Sequence, residues 1–246
     1  MPGQEDFISM TDAQRQKIAD YVRNYLLRTA QSYGHKNGFY RATARWMHCL
    51  NVVNNVNLIL DGENADPTTR EICEIAAMFH DIDHYTVSQE YHAQRGAETA
   101  SRFLLKEGFD PALVARIAVC VQEHDHDLDD ERAVDEQVAE IVERLPLDAR
   151  MVMDADTLDK IGASNILQSA LTMGLSKRTV ADAAKELTSG WPLQRARLWK
   201  EMLTTETGKK MGEQRLTFYE QFLTQVRGEV ITTDPYQTEE PAQAQV

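Results

Sequence analysis

Apolar positions recur along this chain with the helical period almost throughout. Ile18, Tyr21, Val22, Tyr25 and Leu26 keep the spacing of one helix face. Just ahead of them, Thr11 to Gln14 has the form of a capping box, with Asp12 in the first turn. Gln31 to Tyr40, polar and holding two glycines, predicts a loop. A second helix is expected from about Arg41 to Leu60, with Trp46, Leu50 and Val53 inward and Asp61-Gly62 ending it. Asp66-Pro67 and Asp110-Pro111 each open a further helix, an N-cap acid followed by proline in the first position. The first of these presents Ile72, Ile75, Ala76 and Phe79, the second Leu113, Val114, Ile117 and Val121. Between them a helix runs from about Gln89 to Lys106 and stops at Gly108. Val134, Val138, Ile141, Val142 and Leu145 mark a short acidic amphipathic helix, punctuated by Pro146. From there one long helix is expected to carry Met151 to Met173 as far as Gly174. Residues 176–226 predict two or three more helices, interrupted at Gly190-Trp191-Pro192, with Phe218, Tyr219, Phe222 and Val226 periodic at the end. No alternating strand pattern and no tandem repeat is present. The fold class is all-α: a single domain over residues 1–227, with the polar, Pro/Gln-rich stretch 228–246 reading as a disordered tail.

Composition narrows the function without naming it. The chain has 246 residues and a formal charge of −13, which disfavours nonspecific binding to nucleic acid, since that needs a basic footprint. No apolar run approaches ~18–20 residues, so no membrane partner is expected. The first ten residues lack the basic and apolar regions of a secretory signal. Cys49, Cys73 and Cys120 are widely spaced in apolar helical contexts and read as small buried hydrophobes. These features together predict a cytoplasmic protein. Its oligomeric state is open.

The chemistry concentrates in the histidines. Six of the seven fall between His48 and His126. His48 lies mid-helix, His80-Asp81 ends the helix whose Phe79 faces inward, His124 continues the stripe of Leu113 and Ile117, and Asp156 shares a face with Val152 and Met153. An ionised aspartate on a buried face is costly unless it is paired or bound to a metal. One inward histidine is ordinarily a hydrogen-bonded core residue. Several His and Asp residues pointing inward from separate helices are the device by which bundles build metal sites.

The order H…HD…D is similar to the ligand set of the HD-domain superfamily of metal-dependent phosphohydrolases. Met153-Asp154-Ala155-Asp156-Thr157-Leu158-Asp159 resembles its final-aspartate segment, usually DAD(R/K)LD. The resemblance runs from about Trp46 to Gly174, with an HD core of about residues 41–174. It continues into Thr205 to Val226, which is similar to the closing helix of the small bacterial HD nucleotide hydrolases. It implies an HD-domain helical bundle with additional C-terminal helices, and His48, His80, Asp81 and Asp156 as ligands of a divalent transition metal. This mixed N/O set suits Mn, Fe, Co, Ni or Zn. His84 makes HDxDH, similar to the HDxxH of the deoxynucleotide triphosphohydrolase branch; it reads either as a catalytic group near water or phosphate or as a surface histidine at a helix end. Asp83 would orient His84 or a water, or be solvated. His92 and His124 resemble the next histidines of the superfamily, which complete a second metal site in binuclear members and bind phosphate or move protons in mononuclear ones. His84, His92 and His124 are the catalytic candidates, and one ion per chain is favoured over two. His126 is expected to face elsewhere, and His35 to lie on the surface. Lys160 and Arg95 are candidate phosphate contacts. Two positions depart from the pattern: Asn51 stands where small members often carry Arg, and Thr157 where Arg or Lys is common.

The expected activity is metal-dependent phosphohydrolysis, with a metal-activated water attacking a small phosphorylated substrate, a nucleotide or related ester. The alternative is an HD-fold di-iron oxygenase acting on a small organic substrate, since some members hold two irons with H…HD…H…H…D. A non-catalytic signalling module is the third reading, and the intact ligand set argues against it.

Overall fold

The structure, a computed structural model, describes residues 10–32, 38–126 and 132–233. His35 and residues 234–246 of the expected tail lie outside them. The described residues form eleven α-helices and one 3-10 turn, with no strand among them. These are α1 (Asp12–Ser32), α2 (Gly38–Gly62), α3 (Pro67–Phe79), the 3-10 turn Gln89–Tyr91, α4 (His92–Lys106), α5 (Pro111–Gln122), α6 (Val134–Arg144), α7 (Leu147–Asp159), α8 (Ala163–Leu175), α9 (Val180–Leu187), α10 (Trp191–Glu201) and α11 (Glu206–Glu229).

The helix starts follow the capping residues. Thr11 Oγ1 accepts from Gln14 N at 3.2 Å while Gln14 Oε1 accepts from Thr11 N at 2.9 Å. Asp66 accepts from the amides of Thr68 and Thr69, and Asp110 from those of Ala112 and Leu113, each with proline next in the chain. Each cap satisfies amide donors that the first turn leaves without partners, and contributes about 1 kcal/mol.

Three features differ from the sequence reading. α2 begins at Gly38, where an added Cβ would lie 2.9 Å from the carbonyl oxygen of Ala30, so α1 and α2 meet backbone to backbone there. Leu50, expected inward, is 37% exposed, because the inward face of α2 is set by His48, Cys49, Val52, Asn55 and Val56. An apolar-only reading discounts the two polar members of that face. Third, the long helix expected to reach Gly174 breaks after Asp159. Gly162 has φ 91° and ψ −148°, a conformation only glycine holds without strain, and the chain turns there into α8. In α6, Ile141 and Leu145 are buried as expected while Val142 is 43% exposed.

Helices α1 to α7 surround one apolar core that includes Val22, Leu26, Val56, Ile72, Phe79, Leu104, Ile117 and Val152. A second, smaller cluster of Ile161, Ile166, Leu187, Ala196, Leu216, Tyr219 and Leu223 sits under α8 to α11. Polar bolts join the two. The Asp154 carboxylate on α7 accepts from Thr204 N, Thr204 Oγ1, Thr205 N and Thr205 Oγ1 at 2.7–3.2 Å, where the chain enters α11. Gly208 is obligatory beside it, since a Cβ there would lie 2.6 Å from Asp154 Oδ2. Arg215 of α11 donates to Leu158 O at 2.6 Å and Asn55 Oδ1 at 2.7 Å. All three cysteines are buried free thiols, and burial pushes each thiol's pKa up. Among the described residues no helix is long and apolar enough to cross a membrane.

Candidate metal centre

The site is assembled by the ends of α3, α4, α5 and α7 around the middle of α2. His80 and Asp81 follow the last residue of α3, His92 is the first of α4, His124 comes two residues after α5, and Asp156 and Asp159 lie in the last turn of α7. His48, His80, Asp81, His92, His124 and Asp156 are all buried.

Four imidazoles are anchored in the same sense. Nδ1 of His80 meets Ala77 O at 2.8 Å, that of His92 meets Gln89 O at 2.5 Å, and that of His124 meets Val121 O at 2.7 Å. His48 Nδ1 meets Asp159 Oδ2 at 2.7 Å. With each Nδ1 donating to its oxygen, each Nε2 points inward and can turn a lone pair to an ion. His48 Nε2 and His80 Nε2 are 3.1 Å apart, and His92 Nε2 and His124 Nε2 are 3.2 Å apart.

The Asp81 carboxylate lies between the two pairs. Its Oδ2 is 3.4 Å from His48 Nε2 and 3.3 Å from His80 Nε2. Its Oδ1 is 3.3 Å from His92 Nε2 and 3.8 Å from His124 Nε2. Asp156 Oδ1 faces the first pair, 3.0 Å from His48 Nε2 and 3.8 Å from His80 Nε2, and is buried with no hydrogen-bond partner. Asp125 Oδ2 approaches the second pair, 3.8 Å from His92 Nε2.

This arrangement fits a cation. Ring nitrogens and carboxylate oxygens about 3.0–3.4 Å apart match the separation of neighbouring ligands ~2.1 Å from a common ion. His48, His80 and Asp156 form one group whose ligand atoms lie within 4.8 Å of each other, and His92, His124 and Asp125 form another. Asp81 borders both.

The electrostatics are those of a charged centre held by local partners. Burial would raise the Asp81 carboxyl, but Arg45, His80 and His48 hold it well below the ordinary range. Burial likewise opposes ionisation of Asp156, and Lys160 with His48 holds it well below normal. Burial lowers the His48 pKa, yet Asp156, Asp159 and Asp81 outweigh it and raise the value well above 6.5. His124 is pushed down to about 4 by burial and by His80 beside it, and His84 to about 4 by burial and Arg45.

The remaining candidates divide clearly. His84 lies at the rim, its Nε2 2.9 Å from Arg45 Nη2 and its Nδ1 3.9 Å from Asp81 Oδ1. Lys160 reaches Asp156 Oδ2 at 2.9 Å and Asp125 Oδ1 at 3.5 Å, so it lies at the centre. Arg95 does not; it is half exposed and paired with Glu98. His126 pairs with Glu123 at 3.6 Å, outside the cluster. Asp83 is neither solvated nor the partner of His84. It is fully buried and accepts from Tyr25 Oη at 2.8 Å and from Thr86 Oγ1 and Thr99 Oγ1, each at 2.5 Å. That network ties α1 and α4 to the turn after Asp81.

Three participants were not singled out from the sequence. Asp159 orients His48, Arg45 meets Asp81 Oδ2 at 2.5 Å, and Asp125 borders the second histidine pair. Helical spacing held a signal for two of them: Arg45 is one turn before His48 and Asp159 one turn after Asp156.

A cavity of about 170 Å³ opens over the centre, lined by its histidines other than His80 and its aspartates, with Arg45, Gln89, Lys160, Asn165 and Gln168. It shares Arg45, His48 and Gln168 with a larger chamber of about 350 Å³, walled by Tyr40, Arg41, Tyr85, Thr172 and Leu175. A groove of about 530 Å³ between α8, α9 and α11 is larger still, but its walls, with Ile166, Met173, Leu187 and Phe222, contain no histidine or aspartate.

Comparison with known proteins agrees with this fold. No curated protein sequence matches the chain. The solved structure of a predicted HD superfamily hydrolase from an uncultured Thermotogales bacterium is 25% identical over 87% of this chain and 91% of its own, with a TM-score of 0.54. An HD-superfamily hydrolase from Bacillus thuringiensis shares the fold at 19% identity and TM-score 0.61, over 89% of this chain and 98% of its own. Bacillus subtilis YpgQ, solved in complex with ADP, shares it at 21% identity and TM-score 0.55, over 87% and 96%. The HD domain profile matches residues 45–161, the stretch that holds every ligand-type residue of the centre, and this part of the chain is an HD domain.

Proposed function

We propose that the protein is a metal-dependent phosphohydrolase acting on a nucleotide or a related phosphate ester, with His48, His80, Asp81 and Asp156 holding a divalent transition metal. The observation that carries this reading is the set of inward Nε2 atoms facing Asp81 and the hydrogen-bond-free Asp156 Oδ1 in a buried centre. An ion bound there supplies a water of lowered pKa and polarises a phosphoryl oxygen. The donor set suits Mn, Fe, Co, Ni or Zn better than Mg or Ca.

The chain's own residues do the rest. Asp159 fixes the His48 ring through Nδ1, and the carbonyls of Ala77, Gln89 and Val121 fix the other three rings. His92 and His124 border the substrate side, where neutral His124 can accept a proton or hold an ion. His84 accepts from Arg45 and keeps that side chain at the rim. Lys160 adds positive charge at the opposite wall. The 350 Å³ chamber beside His48 suits the organic part of the substrate. The ADP bound by the fold relative YpgQ supports a nucleotide.

One observation favours a second ion: His92, His124 and Asp125, with the other oxygen of Asp81, repeat the donor types of the first group. A two-ion centre serves a binuclear phosphohydrolase and also a di-iron oxygenase. The cationic walls support the phosphate reading. The test is a panel of nucleotides and phosphate esters with the Mn-loaded protein, assaying phosphate and pyrophosphate separately. Release of either from at least one compound, abolished by chelator, is expected. No release, together with the absorbance and EPR signature of a di-iron pair, would transfer the assignment to the oxygenase.

A further inference from the structure

A centre that binds phosphate beside two buried carboxylates needs positive charge from the chain, and here the usual positions lack it. Asn51 donates to Ser164 Oγ at 3.1 Å and faces a different cavity, and Thr157 is uncharged and buried. Arg45, one helical turn before His48, lies in the wall common to the metal cleft and the larger chamber. Its Nη1 is 2.5 Å from Asp81 Oδ2 and its Nη2 is 2.9 Å from His84 Nε2.

Asp81 Oδ2 is the oxygen that also lies within 3.4 Å of both His48 Nε2 and His80 Nε2. A dication held by those atoms takes the lone pairs and the charge that now attract the guanidinium, and it repels the guanidinium directly. The partners left to Arg45 on the protein are His84 and the Tyr85 hydroxyl, both uncharged. The Nη1 edge of Arg45 is then available in the wall that the two cavities share, where a phosphate on the ion would join an organic group in the chamber. The planar guanidinium offers paired donors that match a phosphate's oxygens, which a lysine cannot do.

We propose that Arg45 is the anion-binding side chain of this centre, neutralising Asp81 until a cation takes Oδ2 and thereafter binding the substrate's phosphate. The inference rests on the metal-dependent reading above. It also differs from a scaffolding role. If Arg45 merely held Asp81 in place, removing it would loosen a ligand and weaken metal binding; if it competes for Oδ2, removing it strengthens metal binding.

The test measures Mn²⁺ binding by EPR or calorimetry on chelator-treated, dialysed full-length protein, and then inorganic phosphate binding to the Mn-loaded form, for wild type, Arg45→Met and Arg45→Lys. Arg45→Met should bind Mn²⁺ about tenfold more tightly, the scale of one nearby charge. It should bind phosphate about tenfold or more weakly, through loss of a charge-assisted bidentate contact. Arg45→Lys should keep the wild-type Mn²⁺ affinity within a few-fold and fall between the two for phosphate. Equal or weaker Mn²⁺ binding by a folded Arg45→Met protein, or unchanged phosphate binding, overturns the inference and leaves the metal reading standing. If Arg45→Met does not fold, Arg45→Lys decides, and wild-type phosphate affinity there is contrary. A wild-type protein that takes up no Mn²⁺, Fe²⁺ or Zn²⁺ overturns the metal reading, and this inference with it.

Discussion

Helices α7 and α8 follow one another across a three-residue turn and are both 13 residues long, yet they have opposite fates. α7 carries four aspartates, Asp148, Asp154, Asp156 and Asp159, and 11 of its residues are buried. α8 carries no charged residue, and Ile166 alone of its side chains is buried; Leu167 is 69% and Leu171 56% exposed. Hydropathy alone would assign the two the other way round. Burial of α7 is possible because each carboxylate has a dedicated partner: Arg116 for Asp148, the Thr204-Thr205 donors for Asp154, His48 for Asp159, and Lys160 with the histidines for Asp156. α8 forms the outer wall of the cleft instead. It presents Asn165 and Gln168 to the centre, with Gln168 donating to Asp159 Oδ2 at 3.3 Å. A buried charge here marks chemistry or a joint, and an exposed apolar stripe marks a wall.

The contrast predicts graded effects. Asp156→Ala should lower phosphate-ester hydrolysis on the order of a thousandfold or more, because it removes a ligand, while the domain still folds once like-charge repulsion with Asp81 is relieved. Steady-state kinetics together with circular dichroism check both parts, and retained turnover would show that Asp156 is no ligand. Asp154→Asn, two residues away, should act on stability. It turns an amide NH₂ toward donors that now meet a carboxylate, at a cost on the order of 3 kcal/mol in denaturant unfolding. Metal stoichiometry should stay at the wild-type value in the fraction that is folded. A stable Asp154→Asn protein would mean that the joint between the two apolar clusters lies elsewhere.

The raised His48 pKa gives a pH dependence of definite sign. The raised His48 value means that a cation competes with a proton there, so Mn²⁺ affinity should rise with pH until that raised value is passed, by roughly tenfold per unit for each proton released. In chelator-treated protein the folding consequence is the reverse. Stability contributed by His48 is fully present below its unfolded value of about 6.5 and is lost as pH rises through the raised folded value. Calorimetry in buffers of different ionisation enthalpy counts the proton, and a flat affinity profile would contradict the assignment. The smallest effect belongs to α8: Leu171→Ser should change unfolding free energy by no more than about 0.5 kcal/mol. A larger loss would mean that this stripe is covered in solution.

Much of this was legible in the sequence. The capping acids, the inward stripes and the order of His48, His80-Asp81 and Asp156 are local features, and the helices follow them. What stayed hidden depends on how helix ends meet. The His92 and His124 rings are fixed by the carbonyls of Gln89 and Val121, which no side-chain pattern reveals. Asp154 and Asp159 flank Asp156 in one short segment, and only the three-dimensional neighbours separate their roles. Asp83 was ambiguous for the same reason: its partners Tyr25 and Thr99 come from α1 and α4. The break at Gly162 was obscured because the apolar period continues across it.

The central claim is that His48, His80, Asp81 and Asp156 hold a catalytic transition metal, with His92 and His124 beside it. Metal content per chain, measured by elemental analysis on protein purified without chelator, tests it most directly when wild type, Asp81→Ala and the His92→Ala/His124→Ala double variant are compared. The account predicts at least one transition-metal ion per chain in the wild type, one in the double variant and at most a trace in Asp81→Ala. A wild type free of transition metal, or an Asp81→Ala protein that keeps its full complement, would contradict it.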